Sequence, residues 1–280
     1  MQHKTQGWEI AEKRGKRKNR IPPFAPSKNE ITFYQKYNNK VAKDKNLPQR
    51  ALILGATPEL RDCAIKSELE SYAVDISQEM MDKFSLLMKY HNHPLDKRII
   101  QDWLKIKFPK DYFGIAMGDG SLINFATRKE NNTCIKVCAK TIKRGGYLIL
   151  RQVVYPQNLQ SYKSAERLIN DYRNKKISWE DFFMELRIVF YKDKLYNKKT
   201  FQFNAGKSFK MIDKLFENKI LTKKEYEKIN TFRNNITNIF YPENNFIKMI
   251  ESKGFKLTAK FHDKPHRFFK YLYMMAFRKT

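Results

Sequence analysis

Short apolar runs alternate with amphipathic segments between residues 49 and 151. The first run, residues 51–54, is wholly apolar, which is typical of a parallel strand buried on both faces. Four similar runs follow, and the segments between them carry apolar residues at helical spacing. The predicted strands are residues 51–54, 71–75, 97–101, 112–117 and 147–151, and the predicted helices are 58–69, 78–90 and 131–142. This rhythm predicts a parallel sheet with right-handed crossovers.

The pattern changes after the fifth strand. Residues 157–245 contain four or five amphipathic helices and no convincing strand, and residues 255–262 and 268–278 are strand-like again. The connection between these last two strands is so short that they can only be antiparallel neighbours. We therefore predict a Rossmann-like α/β fold with a seven-stranded mixed sheet, made of five parallel strands and a C-terminal antiparallel hairpin. Helices are expected on both faces of the sheet, together with an all-helical insertion.

Three regions follow from this pattern. Residues 1–48 form a basic N-terminal extension that ends in a helix, which we expect to act as a lid. The core consists of residues 49–156 and 246–280. The helical insertion, residues 157–245, is the region where we expect an acceptor to bind, because specificity usually resides in peripheral segments on a rigid scaffold.

Composition narrows the class of protein. The 280 residues are 41% hydrophobic, enough for a sizeable core, but no run approaches the roughly 18 apolar residues of a membrane span. The first 20 residues lack the apolar segment of a secretory signal. The three cysteines, Cys63, Cys134 and Cys138, are an odd count with poor zinc-ligand spacing. We expect a cytoplasmic protein with reduced thiols and no metal site.

The formal net charge of +27 leaves two interpretations open. It could attract nucleic acid or another anionic surface. It could also reflect coding bias, because the chain is rich in Lys, Asn, Ile, Phe and Tyr, which AT-rich codons encode. The excess is smallest in residues 51–155, where 16 basic residues face 12 acidic ones. The charge therefore lies mainly outside the predicted sheet.

The first strand ends in a loop suited to binding a ligand. Gly55 lets the backbone approach a bound molecule closely, and Ala56 follows it. Thr57 is a good N-cap, Pro58 suits the first helical position, and Glu59 favours the positive end of the helix. The start of this helix would offer free N–H groups to a carboxylate.

Acidic residues follow three later strands. Asp75 lies 20 residues after Gly55, the distance at which an acid meets ribose hydroxyls in dinucleotide-binding folds. Asp102 and Asp119 follow the third and fourth strands. Each could instead have a purely local role, as a surface turn or as the cap of a turn. Their order along the chain favours a shared site, because ligands of open α/β sheets lie at the carboxyl ends of the strands.

The motifs LGATPELR at residues 54–61 and GDGSL at residues 118–122 resemble those of class I S-adenosylmethionine (SAM)-dependent methyltransferases. The likeness is to a bacterial group with an LGxTPELR first motif and a GDGS fourth-strand motif, and it covers about half of the chain. It implies SAM as cofactor, with Asp75 on the ribose, Asp102 on the adenine amino group, and Trp103 or Ile76 against the adenine ring. Asp119 would lie near the methionine part or the methyl group. The implied cofactor-binding residues are Gly55, Ala56, Thr57, Pro58, Glu59, Asp75, Ile76, Asp102, Trp103, Gly118, Asp119, Gly120 and Ser121.

Some residues are candidates for contact with the acceptor. Tyr34 and Tyr37 lie on one side of the helix predicted at 30–43, which could cover the cofactor. Arg151, at the end of the fifth strand, could meet an anionic acceptor or the cofactor carboxylate. Transfer to an oxygen or nitrogen acceptor can require a base, for which Asp119 is a candidate. The chain's other candidates are better explained as loop residues: His91, His93, His262 and His266.

The acceptor itself stays open. The fourth strand is not followed by the Asn/Asp-Pro-Pro-Tyr/Phe motif of amino-methylating nucleic-acid enzymes, and no Pro-Cys nucleophile is present. A small molecule is therefore favoured slightly over RNA. One alternative is a catalytically inactive basic RNA-binding protein with a methyltransferase-like domain. Another is an NAD-dependent oxidoreductase, although two of the three glycines of its Gly-x-Gly-x-x-Gly loop are missing after the first strand.

Overall fold

A seven-stranded sheet forms the centre of the computed structural model, which describes residues 21–155, 164–264 and 270–280. The described strands are β1 (Arg50–Leu54), β2 (Glu70–Asp75), β3 (Asp96–Ile100), β4 (Phe113–Asp119), β5 (Ile142–Val153), β6 (Tyr196–Asn197), β7 (Gln202–Asn204), β8 (Thr237–Ile239), β9 (Phe255–Phe261) and β10 (Leu272–Lys279). The described helices are α1 (Lys28–Lys43), α2 (Pro58–Lys66), α3 (Gln78–Ser85), α4 (Arg128–Thr141), α5 (Ala165–Arg173), α6 (Trp179–Met184), α7 (Lys192–Leu195), α8 (Ala205–Glu217), α9 (Lys223–Asn230) and α10 (Glu243–Glu251).

The strand order of the large sheet is β3-β2-β1-β4-β5-β10-β9. Strands β1 to β5 are parallel, whereas β10 is antiparallel to both β5 and β9. The prediction of five parallel strands closed by an antiparallel hairpin is confirmed. The chain crosses from β3 back to the other side of β1 when it enters β4, so the strand order reverses between β1 and β4. A reversal of this kind opens a crevice at the carboxyl ends of the strands.

Helices cover both faces of the sheet, as predicted. Helices α1, α2 and α3 pack on one face, where Tyr34, Leu60 and Met80 belong to one buried cluster. Helices α4 and α10 pack on the other face, where Ile135 and Phe246 belong to a second cluster. The three cysteines are buried free thiols within these clusters. No helix of the described chain combines the length and the apolar character that a membrane crossing requires.

The insertion is not all-helical, and that prediction was wrong. Strands β6, β7 and β8 form a small antiparallel sheet. Within the insertion, helix α9 ends at Asn230, and Thr237–Ile239 is a strand. Strands of two or three residues are too short to show an alternating pattern, so they were not visible in the sequence. They exist because Phe203 and Ile239 are buried between the insertion and the core.

Some predictions fall outside the described residues. These are the basic extension at residues 1–20, the start of the insertion at 157–163, and the hairpin turn that contains His266.

Candidate functional site

Gly55 lies at the point where the ends of β1 and β2 and the loop after β3 meet. Its φ angle is +120°, in a region that side chains rarely adopt. A Cβ atom on Gly55 would lie 3.7 Å from Cζ2 of Trp103 and 3.8 Å from Oδ2 of Asp75. The Gly55 N–H also donates to the carbonyl of Val74 at 2.9 Å. Three residues predicted for the cofactor site therefore face one another across a small space.

Asp75 binds the loop after β1 through its carboxylate. Its Oδ1 accepts the N–H of Ser77 at 2.9 Å, and the carboxylate also accepts backbone hydrogen bonds from Ala56 and Ile76. Burial raises the pKa of Asp75, and these three N–H groups lower it in part. The side chain thus connects β2 to the loop that precedes α2, while Oδ2 lies near Gly55.

Trp103 forms a wall beside Gly55. Its indole N–H donates to the Val74 carbonyl at 2.6 Å, and its ring packs edge-on against Phe125 at 5.9 Å. Asp102 caps the short 3-10 turn that carries Trp103, since one carboxylate oxygen accepts the N–H of Leu104 at 3.0 Å. The capping role considered for Asp102 is therefore present. Its contact with an adenine amino group stays a prediction.

Helix α2 points its N-terminus toward the same edge of the sheet. Pro58 occupies the first turn, as predicted. Thr57 occupies the N-cap position, but its side chain makes no capping hydrogen bond. The N–H groups of the first turn therefore do not donate to the Thr57 side chain. The helix dipole favours a negatively charged partner at this position.

The loop after β4 joins the loop after β1. Ser121 donates its hydroxyl to the carbonyl of Leu54 at 2.7 Å. A Cβ atom on Gly118 would lie 2.8 Å from that hydroxyl oxygen, so this crossing requires glycine. Gly120 has a φ of +60°, and its N–H donates to the Arg151 carbonyl at 2.8 Å. The predicted residues of the first and fourth motifs therefore lie on one edge of the sheet.

Arg151 binds protein groups, and its predicted contact with an anionic acceptor or the cofactor carboxylate stays a prediction. Its guanidinium forms ion pairs with Asp119 at 2.8 Å and Glu30 at 2.9 Å. It also donates to the carbonyls of Pro23 and Ala25 at 3.1 and 3.2 Å. Burial lowers the pKa of Arg151, but the two carboxylates outweigh this effect and raise it. Glu30 lies 121 positions before Arg151, so nothing in the local sequence shows this pairing.

The side chains of Tyr34 and Tyr37, both in α1, pack over different parts of the large sheet. The hydroxyl of Tyr34 donates to the Gly118 carbonyl at 2.8 Å, directly at the strand ends, and burial raises its pKa. The ring of Tyr37 packs on Tyr147 at 5.2 Å. Tyr147 precedes Arg151 by four residues, roughly 13 Å along the strand. Tyr37 therefore lies away from the strand ends, because α1 runs down the sheet from this edge, and its role as an acceptor or lid residue stays a prediction.

Residues 21–27 form a segment that we call the N-terminal strap. Phe24 packs on Phe183 at 5.9 Å and on Phe232 at 5.4 Å, both in the insertion. Ser27 donates its hydroxyl to Asp263 at 2.5 Å, beyond β9. Arg151 also binds the carbonyls of Pro23 and Ala25 in the strap. The strap therefore links the sheet edge, the insertion and the C-terminal hairpin. The sequence alone showed no sign of this role.

The insertion also contacts the loop between β4 and α4. Asn238 of β8 donates to the Ile123 carbonyl at 3.0 Å, and Gln202 of β7 donates to the Ala126 carbonyl at 2.8 Å. The small sheet is thereby placed next to the motif at residues 118–121. Its role in binding an acceptor stays a prediction.

The described histidines, His91, His93 and His262, lie in structural settings. His91 and His93 precede β3, at the opposite edge of the parallel sheet from Asp75, and His93 accepts the N–H of Leu95 at 3.3 Å. His262 packs on the ring of Tyr273 at 5.1 Å. Within the described ranges, no three His, Cys, Asp or Glu side chains are grouped to hold a metal ion.

Comparisons with known proteins identify the fold. No protein-family model and no curated protein matches the sequence. The methyltransferase CcbJ from Streptomyces caelestis matches with a TM-score of 0.57 at 11% identity, over 99% of this chain and 98% of that chain. A SAM-dependent methyltransferase from Methanosarcina mazei matches with a TM-score of 0.50 at 13% identity, over 82% and 92%. A structure from Rhodobacter sphaeroides, described as a Zn-dependent alcohol dehydrogenase, gives 0.57 at 12% identity over 99% of both chains. The chain has the Rossmann-like fold of class I methyltransferases.

Proposed function

We propose that this protein is a SAM-dependent methyltransferase whose cofactor binds at the carboxyl ends of β1, β2 and β4. The observation that carries the proposal is the space in front of Gly55. A carboxylate oxygen of Asp75 and the edge of the Trp103 ring bound this space, each less than 4 Å from the position of a Gly55 Cβ. A hydrogen-bond acceptor beside a flat aromatic surface suits a ribose joined to an adenine ring.

The remaining cofactor contacts follow from the same edge. The start of α2 would receive the carboxylate of the methionine part, because the N-terminus of a helix favours an anion. Asp119 would face the sulfonium side, although its carboxylate also pairs with Arg151. Bound SAM would supply a methyl group for in-line transfer to a lone pair of the acceptor, and the thioether would leave. The chain's part in this step is to position donor and acceptor.

We propose a small molecule as the acceptor. The strap and the insertion meet through Phe24, and the small sheet of the insertion contacts the β4–α4 loop. An acceptor site with such walls would exclude water from a compact substrate, as in most small-molecule sites. The resemblance to the bacterial LGxTPELR group, and a cytoplasmic location, stay predictions.

Ligand-dependent melting tests the cofactor. We expect SAM, but not NAD, to raise the melting temperature, because a ligand that binds only the folded state stabilises it. Asp75→Asn should weaken SAM binding at least tenfold, about 1.4 kcal/mol, since the amide is a poorer acceptor for the ribose hydroxyls. Asp82→Asn, on the exposed side of α3, is the matched control and should keep the wild-type shift. A chain that melts unchanged in saturating SAM, or that responds to NAD instead, would refute the proposal.

A further inference from the structure

A second concave surface lies on the outside of the molecule, between α1 and α2. This groove has a volume of about 780 Å³. Ile31 of α1 and Cys63 of α2 contribute apolar surface to it, and residues from Ile31 to Lys43 line its length. At 1.5 Å per helical residue, this stretch spans roughly 18 Å. The groove is therefore as long as three turns of a helix.

The lining of the groove is basic, and its excess of positive charge lies on the α1 side. Its lining includes five exposed lysines: Lys36, Lys40, Lys43, Lys66 and Lys89. The acidic residues in the lining are Glu59 and Asp62. Asp62 accepts the backbone N–H groups of Lys89 and Tyr90 at 2.9 and 3.1 Å, which holds that loop at the rim. Five positive charges thus face two negative ones, one of which has a structural role.

The groove is formed by the fold itself. Gln35 of α1 donates to Ser67 at 2.5 Å, and Ser67 donates to Asn39 at 2.7 Å. Gln35 also donates to the Cys63 carbonyl at 3.3 Å. These bonds fix the separation of α1 and α2, so a partner would not need to open the groove on binding.

We propose that this groove docks an acidic amphipathic helix of a partner protein. An amphipathic helix places apolar anchors in a groove between helices and turns its polar sides toward the rims. Glutamates or aspartates on those sides would meet lysines on both rims. The loop that carries Lys89 also exposes Leu86, at 69%, and Tyr90, at 37%, and Tyr90 adds aromatic surface to the lining of the groove.

Nucleic acid fits this groove less well. Single strands gain much of their affinity by stacking bases on aromatic faces. Among the described residues that line the groove, Tyr90 alone is aromatic, and its ring packs against His93 at 6.1 Å. A polynucleotide would leave Ile31 uncovered, whereas the apolar anchors of an amphipathic helix would cover it.

Peptide binding to the whole chain tests the proposal. The probe is a labelled 16-residue helical peptide with leucines at i, i+3, i+4 and i+7 spacing and glutamates at the other positions. Binding is measured by fluorescence anisotropy, for the wild-type chain and for the variant K36E/K40E/K66E. The matched control is K207E/K210E/K214E, which makes the same charge change on exposed positions of α8. Glu59 is left unchanged because it belongs to the predicted cofactor site, and unaltered melting curves show that the variants fold.

We expect the groove variant to weaken peptide binding at least tenfold and the α8 variant less than threefold. A peptide with serines in place of the leucines should bind at least tenfold more weakly than the probe. Equal losses in the two triple variants would show bulk charge attraction and overturn the proposal. So would a serine peptide that binds as well as the probe. Tighter binding of a 16-nucleotide RNA, lost only in the groove variant, would assign the groove to nucleic acid instead.

Discussion

Single atoms decide whether the predicted cofactor space exists. Gly55 has a hydrogen at the position where any other residue would place a Cβ atom between Asp75 and Trp103. At Gly118 the missing side chain lets Ser121 reach the Leu54 carbonyl. These two glycines differ in what they leave room for, since the space at Gly55 is the one proposed for the cofactor and Gly118 leaves room for Ser121.

Gly55→Ala separates backbone strain from occupation of the site. We expect a loss of roughly 1–3 kcal/mol in the free energy of unfolding, because alanine is strained at a φ of +120°. The added methyl group should also abolish SAM binding. Gly254→Ala carries a similar strain at a φ of +83°, but its Cβ would meet nothing within 4 Å. Titration calorimetry should find SAM bound to the Gly254 variant and not to the Gly55 variant; equal binding by both would place the cofactor elsewhere.

Helices α1 and α2 are attached to the sheet by buried charges as well as by apolar contacts. Helix α1 begins with a capping box of Ser27 and Glu30, and Glu30 also pairs with Arg151. Its later turns follow β4 in the opposite direction, since Tyr34 contacts Gly118 and Asn38 contacts Met117 at 3.2 Å. The start of α1 is thus placed by β5 and its later turns by β4.

Arg151→Met tests the charge cluster at the start of α1. Removing the guanidinium leaves the carboxylates of Glu30 and Asp119 buried without their partner, which should cost about 3–5 kcal/mol in the free energy of unfolding. Arg173→Met removes the exposed pair with Glu225 and should cost less than about 1 kcal/mol. Urea unfolding measures both variants. Similar losses would mean that the buried cluster is not required for stability.

The ion pair between Arg61 of α2 and Asp96 of β3 should make the stability of the fold sensitive to acid. Burial raises the pKa of Asp96, but Arg61 and Arg98 outweigh burial and lower it below the usual value. A carboxylate whose folded pKa is lowered stabilises the fold above its unfolded pKa of about 4, and this contribution disappears as pH falls through the folded pKa. Asp96→Asn should therefore flatten the stability profile below about pH 4 and lower stability at pH 7. A profile that keeps the wild-type slope would contradict the prediction.

One of the segments that join the sheet to the insertion belongs to neither of them. The N-terminal strap passes between them, with Phe24 in the aromatic cluster of the insertion and Pro23 on Arg151. The net charge of +27 opposes compactness, and buried contacts of this kind offset that repulsion. The insertion and the sheet edge should therefore behave as one unit.

Phe24→Ala should loosen the attachment of the insertion to the strap, whereas the contacts of β7 and β8 with the β4–α4 loop remain. Hydrogen exchange is expected to become faster around Phe183 and Phe232, which lose an aromatic partner, while exchange in the strands of the large sheet stays unchanged. Phe216→Ala removes a ring that stacks on Tyr226 within the insertion and serves as the control. It should affect α8 and α9 alone. Unchanged exchange at Phe183 in the Phe24 variant would show that the strap does not hold the insertion.

The sequence by itself determined the parallel strands, the final hairpin and the strand ends that carry Gly55, Asp75 and Asp119. Local patterns suffice for these features, because apolar runs define buried strands and parallel strands bring their carboxyl ends to one edge. Only the tertiary structure decided that Arg151 binds Glu30, that Tyr34 and not Tyr37 reaches this edge, and that the insertion contains a sheet. These outcomes depend on contacts between residues far apart in the chain, or on strands too short to form a pattern. Side-chain packing in three dimensions selects among them, and no local spacing encodes that choice.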